Sequence, residues 1–599
     1  MIQENDKRQN VSAEYLVATK NQLRGHSKLE INMKIESLDF RKDSSISDNG
    51  RVYYSGNDYY GENEEPQIAY ATLEKNYWLL DGNKKLLPEN NFALQPLISE
   101  VMSDSNGVFA INPTITISAE ASGLEYNLIG LKFVFDTIDN DYPIEFDVEC
   151  YLNNTLIRTI TWENSEVECD MTDGIDNVDM IKIVFKKMNK PNRRLRLTKM
   201  FLGLHQQYTN KDIIEASHKW TIDLLSREIT DINFKFTVDN RTARYNADNP
   251  NSINRYFQEQ QLLEIKYYYE ISGNVYELVN GGKLYLTGTP KAEKYEATFE
   301  AKGELYFMSD VYKKGIYSTT PKTYTELLTS IFNEMGISNY TIDSSLEDIK
   351  TNIPLPMLSA KELIQLICNA TNMVCIEDRE GYIHIKAKDN LLKGYYLDLD
   401  NQIEFPIVET QPNLKDVNVA YYQVKVESES EEIFNGKFNI EGNKKLQIEY
   451  SNSPATECVA TVTNGTIVTA NYYAYYCELD ITVTDSSKEV SVVINGKPIE
   501  LNKSTYTLNV NLIGENCDID NPLIDSEARA TDVAHHFKNY LINRNIYTSE
   551  NRGEPAWDSG DVIKLETQFS EEINAAITSN EIVFDGALSG KTTFRNVGV

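Results

Sequence analysis

Short runs in which apolar and polar residues alternate, each closed off by Gly, Asn, Asp or Pro, recur along most of this chain. That pattern restricts it to a strand-built architecture. Residues 28 to 40 (KLEINMKIESLDF) alternate as a half-buried strand does. The polar stretch from Arg41 to Pro66 reads as a long loop or boundary. From 67 to 204 further strand-like runs follow, among them LKFVFD (131 to 136), EFDVECYL (145 to 152), LIRTITW (156 to 162) and MIKIVFKK (180 to 187). No amphipathic helix interrupts them, and an antiparallel sandwich is predicted. Residues 205 to 320 are strand-rich again, with Asn280-Gly281-Gly282 read as a hairpin turn. Asn464-Gly465 and Asn495-Gly496, each between β-branched runs, carry the same hairpin signal.

The period changes at three places. Thr323 with Glu326 forms a capping box ahead of Tyr324, Leu327, Leu328, Ile331, Phe332 and Met335, which fall on one helical face. Gly336 suits the C-terminal cap of that helix. Ser359 with Glu362 opens a second helix that buries Leu363, Leu366, Ile367 and Ala370. A hairpin follows, turning at Asp378 to Gly381, so 321 to 390 reads as a small α/β unit. A third helix is predicted over 526 to 543, and the final segment returns to strands. No short internal repeat is evident.

A chain of 599 residues exceeds the roughly 250–300 that a single hydrophobic core holds, so several domains are expected. Ninety acidic against 58 basic residues give a formal charge of −32, a field that repels phosphate backbones and anionic membranes alike. No apolar run is long enough to span a bilayer, and the polar start MIQENDKRQN carries no signal-peptide core. Seven widely spaced cysteines do not make a complete disulfide framework, which fits a reducing cytoplasm.

None of the familiar catalytic or phosphate-binding signatures occurs, and no cofactor or metal is expected. Cys368 lies on a helix face that packs inward and reads as core. His535 and His536 read as surface residues. The groups Asp136, Asp139, Asp141 and Asp173, Asp176, Asp179 read as solvated turns, with a structural ion as the alternative. Trp78, Tyr142 and Trp162 are the aromatic candidates for stacking on a sugar, with core packing as the plain alternative.

Several segments, taken in order, resemble a known family. ATLEKNYWLLDG (71 to 82), Tyr142-Pro143 and PNRRLRLTKMFLGL (191 to 204) resemble the β-sandwich of tail-tip proteins from phages of Gram-positive hosts. FKFTVDNRTARYNADNPNSI (234 to 253), GGKLYLTG (281 to 288) and EATFEAKGEL (296 to 305) are similar to the hub proteins of such tails. So are the stretches 360 to 387, 521 to 541 and 552 to 565.

The resemblance implies a mainly β, multi-domain chain with two hub-type β-barrels, an inserted galactose-binding-like β-sandwich and a small α/β unit. The implied division is 1–66, first part of the N-terminal barrel; 67–204, the sandwich; 205–320, the rest of that barrel; 321–400, the α/β domain; and 401–599, the second barrel with a hairpin insertion and one helix. The implied function is a non-enzymatic virion protein, a homotrimeric hub of a tail tip or baseplate, built in the host cytoplasm. It would connect the tail tube and distal tail proteins to a spike, a tape-measure protein and host-attachment parts. The alternative is a host-adsorption protein that grips a cell-surface glycan with the sandwich through Trp78, Tyr142 and Trp162. Because the chain ends soon after the last barrel signature, a wall-cutting domain is not expected.

Overall fold

The computed structural model describes residues 11–21, 25–52, 55–60, 74, 96–120, 123–388, 392–485 and 488–597. The chain is mainly β, in several sheets and several domains. Strand β1 (Ser27–Glu36) follows its alternation and turns Leu29, Ile31, Met33 and Ile35 into a core. The predicted strand stops there. At Ser37 the chain breaks into a short helix, Leu38–Asp43, and then the strand Ser44–Asp48, where a loop was expected.

Ser44–Asp48 is the edge of a five-stranded sheet that continues through Thr114–Ala119, Met180–Met188, Pro143–Leu152 and Thr155–Glu163. A four-stranded sheet of Leu97–Met102, Arg194–Phe201, Leu131–Phe135 and Glu168–Met171 faces it across an aromatic core of Phe133, Phe135, Phe146 and Phe185. Strand β2 (Gly203–Tyr208) then pairs with β1, Gly203 opposite Glu36. The sandwich therefore leaves and re-enters the main sheet at one point, which keeps the closure of the surrounding pairing inexpensive despite the length inserted.

The main sheet continues with β3 (Ile213–Thr221), β4 (Asn233–Asp239), β5 (Leu262–Ser272), β6 (Val275–Leu286), β7 (Lys291–Ala292) and β8 (Glu296–Lys302). Their core holds Phe234, Phe236, Tyr267 and Phe299, with the rings of Phe236 and Phe299 stacked at 4.8 Å. After β8 come helices α1 (Tyr324–Glu334) and α2 (Ala360–Thr371), each with its predicted capping box formed. The hairpin Met373–Glu377 with Ile383–Ala387 follows as expected.

Strands β9 (Leu392–Leu397) and β10 (Ile407–Thr410) open a second unit. A long excursion, including helix α3 (Glu527–Leu541), separates β10 from β11 (Asn545–Asn551), yet Thr410 lies opposite Asn545. Strands β12 (Val562–Thr567), β13 (Ser570–Phe584) and β14 (Leu588–Asn596) complete the unit around Trp557, Leu565, Ile577 and Phe594.

The two units repeat one strand order. The first runs β5-β6-β8-β4-β3 and the second β12-β13-β14-β11-β10. Strand β1 flanks β5 as β9 flanks β12, although β1 is antiparallel to its neighbour and β9 parallel. A five-residue segment marks the repeat, Thr237-Val238-Asp239-Asn240-Arg241 and Thr548-Ser549-Glu550-Asn551-Arg552, identical at three positions and acidic at a fourth. Asn240 and Asn551 are both buried and both hold the bend after their strand. Asn240 Oδ1 accepts from Tyr245 N–H at 3.2 Å, and its amide donates to Glu293 O at 2.9 Å. Asn551 Oδ1 accepts from Gly553 N–H at 2.9 Å and its amide donates to Thr592 Oγ1 at 2.9 Å. The resemblance implies two hub-type units, while no short repeat is evident in the sequence; the repeat is carried by topology and one short motif.

The units join edge to edge. β3 pairs antiparallel with β13, from Ala216 opposite Phe584 to Thr221 opposite Ser579, making one continuous 14-stranded sheet.

All three Gly-based turn signals resolve differently from expectation. Asn280-Gly281-Gly282 lies inside β6, where Lys266 faces Asn280 and Ile265 faces Gly282, so the glycines form a bulge. A Cβ on Gly281 would stand 2.6 Å from Ile265 Cγ2. The hairpin turn is instead Gly273-Asn274, both at positive φ. Asn464-Gly465 is a corner between strands of different sheets, and Asn495-Gly496 lies within the long strand Val490–Asn509.

Replacing Asn240 by Ala strands buried backbone groups, which costs about 1–3 kcal/mol. For a unit of this size that corresponds to a fall of about 2–12 °C in Tm, measurable by calorimetry.

Candidate functional site

Of the sugar-stacking candidates, Trp78 lies outside the described residues. Tyr142 and Trp162 sit at the same end of the strand pair Pro143–Leu152 and Thr155–Glu163. Both are half-buried against the sandwich core, and Tyr142 N–H donates to Asn189 Oδ1 at 3.1 Å.

The aspartates beside them are not solvated turns. Asp136 and Asp141 are buried, and cationic side chains occupy the space an ion would take. Asp141 meets Lys190 Nζ at 2.6 Å and Arg193 Nε at 3.0 Å. Arg196 lies 4.0 Å from Asp136 and also pairs with Glu74. Burial pushes the Asp136 carboxyl up, against the opposing pull of Arg196. Lys190, Arg193 and Arg196 thus sit against these carboxylates where a structural ion was the alternative. Asp176 of the second group pairs with Arg255 at 3.0 Å. Among the described residues no His, Cys, Asp and Glu side chains are grouped to hold a metal.

A second polar cluster, not foreseen from sequence, lies where the two units meet the α/β hairpin. β3 alternates Ala216, His218 and Trp220 into the interior. His218 is fully buried, its Nδ1 is 3.0 Å from the Tyr267 hydroxyl, and its ring lies 3.6 Å from Trp220. Burial, reinforced by nearby Arg379, drives its basicity well below the ordinary range, so it stays neutral. Arg379 reaches from the hairpin turn to Asp558 at 2.8 Å and to Trp557 O at 3.1 Å. Asp378 accepts from His384 Nε2 at 2.9 Å; burial opposes its ionisation, but hydrogen bonds from His384 and two backbone N–H groups hold its carboxyl low.

Glu377 accepts from the backbone N–H groups of Glu304 and Leu305 at 2.8 and 3.4 Å. Desolvation pushes its carboxyl up to about 8. Trp220, Glu377, Asp378, Asp558 and Ser559 line a small open cleft of about 40 Å³ at this junction. Its acidic and basic groups are committed to contacts that tie separate elements together. Cys368 is buried core, as expected, with its thiol raised by desolvation alone. All seven cysteines are free thiols, and no helix of the described residues is long and apolar enough to cross a membrane.

No family model and no curated protein matches the chain. Among solved structures it is similar to a 43 kDa tail protein of prophage MuSo2 from Shewanella oneidensis, at 11% identity over 65% of this chain and 94% of that one, with a TM-score of 0.36. It is similar to a tail protein from Neisseria meningitidis MC58, at 7% identity over 66% and 94%, TM-score 0.38. Prophage tail protein gp18 from Listeria monocytogenes EGD-e follows at 12% identity over 65% and 91%, TM-score 0.34. Likenesses this distant fix neither family nor function.

Two outcomes are expected. Arg193→Met leaves the buried Asp141 carboxylate short of a partner and destabilises the sandwich by about 3–5 kcal/mol in denaturant unfolding, whereas calcium and chelator leave its transition unmoved. Glu377 binds its proton more tightly folded than unfolded, so its contribution to stability falls as pH rises through about 8. His218 is neutral in both states above about pH 7 and does not interfere there. Stability therefore falls with pH from about 4.5, the unfolded value, to about 8 and levels off above it; between pH 7 and 8 the Tm falls, and Glu377→Gln flattens that slope.

Proposed function

We propose that this chain is a non-enzymatic structural subunit of a phage-type tail: a homotrimeric hub at the tail tip or baseplate. In this reading it connects the tail tube and distal tail proteins to the spike and host-attachment parts, and it resides in the virion tail. The observation that carries the reading is the repeated five-strand unit, present twice in one chain and joined laterally through β3 and β13. Three such chains would present six similar units around an axis, which is what a threefold part must offer a sixfold tube. The ordered motif resemblance along the sequence supports the same assignment.

The division at 320 belongs to this reading, but the sandwich begins at Leu38 rather than 67 and the second unit at Leu392 rather than 401; the sandwich and the excursion after β10 are carried on the ring as accessories. Both start and end between paired neighbouring strands, so they add surface without opening the sheet that holds them.

Light scattering after size exclusion tests the assignment. The expected mass is three times the 68.4 kDa of one chain, with threefold particles by electron microscopy. A monomer that persists to high concentration would overturn it.

A further inference from the structure

The excursion after β10 carries a small sandwich of its own, and one outer face of it holds a polar groove. Its three-stranded sheet runs in the order Asn443–Glu449, Tyr476–Val483, Gly465–Tyr472. One face turns Leu446, Ile448, Leu479 and Ile481 into the core beside Val490 and Val492. The other face carries two rows of polar side chains in register. Lys445, Asp480 and Thr469 lie opposite one another in the first row, and Gln447, Glu478 and Asn471 in the second. These six line a groove of about 270 Å³, against about 40 Å³ for the cleft at the junction. The two carboxylates on the central strand are half-buried and form its floor, while the four exposed side chains of the flanking strands form its rims.

Cross-strand neighbours of this kind close on each other elsewhere in the excursion. Lys425 lies directly opposite Glu500 and bonds to it at 2.9 Å, and Asn418 lies opposite Asp518 and donates to it at 2.7 Å. Lys445 and Asp480 stand in the same relation, yet neither makes an ion pair among the described residues. Asp480 Oδ1 is enclosed by its surroundings and accepts no hydrogen bond. The side chains of Thr469 and Asn471 are likewise without a partner among the described residues. Glu478 is held in place: the Tyr476 hydroxyl and the Gln447 amide both donate to its Oε1, at 3.2 and 3.4 Å, and its Oε2 is left over.

An enclosed carboxylate oxygen with no donor costs about 1–3 kcal/mol, so a partner from outside is favoured here. A hydroxyl both donates and accepts, which suits a floor of two acceptors rimmed by the ammonium, amides and hydroxyl of the flanking strands. An anionic ligand would meet two carboxylates at the floor and is disfavoured. Among the described residues these carboxylates belong to no group that could hold a metal.

We propose that this groove binds a neutral sugar residue of a glycan, with Asp480 and Glu478 accepting from its hydroxyls and Lys445 and Asn471 donating to them. No aromatic ring lines the groove, so binding rests on hydrogen bonds and each site is weak, in the millimolar range, unless several copies act together. The site does not involve Tyr142 or Trp162, and it stands independently of the hub reading.

Saturation-transfer NMR on the full chain tests it, with glucose, galactose and N-acetylglucosamine as probes and glycerol phosphate as the anionic comparison. At least one sugar should bind, and Asp480→Asn with Asn471→Ala should weaken it about tenfold or more. Lys445→Ala, at an exposed rim position, is a second variant that should also weaken it, and unchanged circular dichroism confirms that each variant folds. The site is overturned if none of the sugars binds, if binding survives all these substitutions, or if glycerol phosphate binds and the sugars do not. A persistent monomer that still binds sugar through Asp480 supports the groove while the hub reading fails.

Discussion

The antiparallel pairing of β3 with β13 is the interaction on which the rest depends. It joins residues such as Ala216 and Phe584 across more than half the chain, and it turns two units into one sheet, with Ile582, Phe584 and Leu588 of the second packed into the core of the first. Few native contacts have so large a sequence separation, and closing such a loop is entropically unfavourable, though the cost grows only slowly with length. It is offset by what β3 buries: Ala216, His218 and Trp220 on one face, beneath the α/β hairpin that delivers Arg379 and Glu377. The cation–π approach of Arg379 to Trp220, at 5.6 Å, and its bonds to Asp558 and Trp557 lock the hairpin to both units at once.

The large additions follow one rule. The sandwich departs between β1 and β2, which pair at Glu36 and Gly203, and the later excursion departs between β10 and β11, which pair at Thr410 and Asn545. An insertion at a point where the sheet has already been closed leaves its register intact. Each then builds its own core, the first around phenylalanines and the second around aliphatic residues such as Val490, Val492 and Ile494. Function can be added to such a scaffold without renegotiating the joint that defines it.

Buried charge is handled by internal pairing. Asp136 and Asp141 sit inside the sandwich because three basic side chains, Lys190, Arg193 and Arg196, arrive from the next strand and the turn before it. Desolvating carboxylates alone would be prohibitive, and pairing makes it tolerable without making it a large source of stability. At the junction the same end is reached by neutrality, with His218 uncharged and Glu377 holding its proton to about 8.

Local chemistry was legible in the sequence wherever it acts within a few residues. The capping boxes Thr323/Glu326 and Ser359/Glu362, the inward face of α3 and the alternation of β1 all form as the residue types dictate. Glycine pairs were not so legible, because positive φ and missing Cβ serve a hairpin, a bulge or a close approach equally well. Gly281 lies against Ile265, and Gly496 lies against Ile433 and Cys458, contacts that no local pattern announces. The same holds for the polar cluster around His218, whose members come from four distant segments.

The sequence by itself determined the strand-rich class, helices α1, α2 and α3 and the capping boxes of the first two, because periodicity and capping are short-range. The tertiary structure alone decided how the two units join, β3 against β13, and that β10 has no outer neighbour among the described residues. Those outcomes depend on which distant edges meet, and edge-to-edge pairing is made by backbone groups that every residue carries alike.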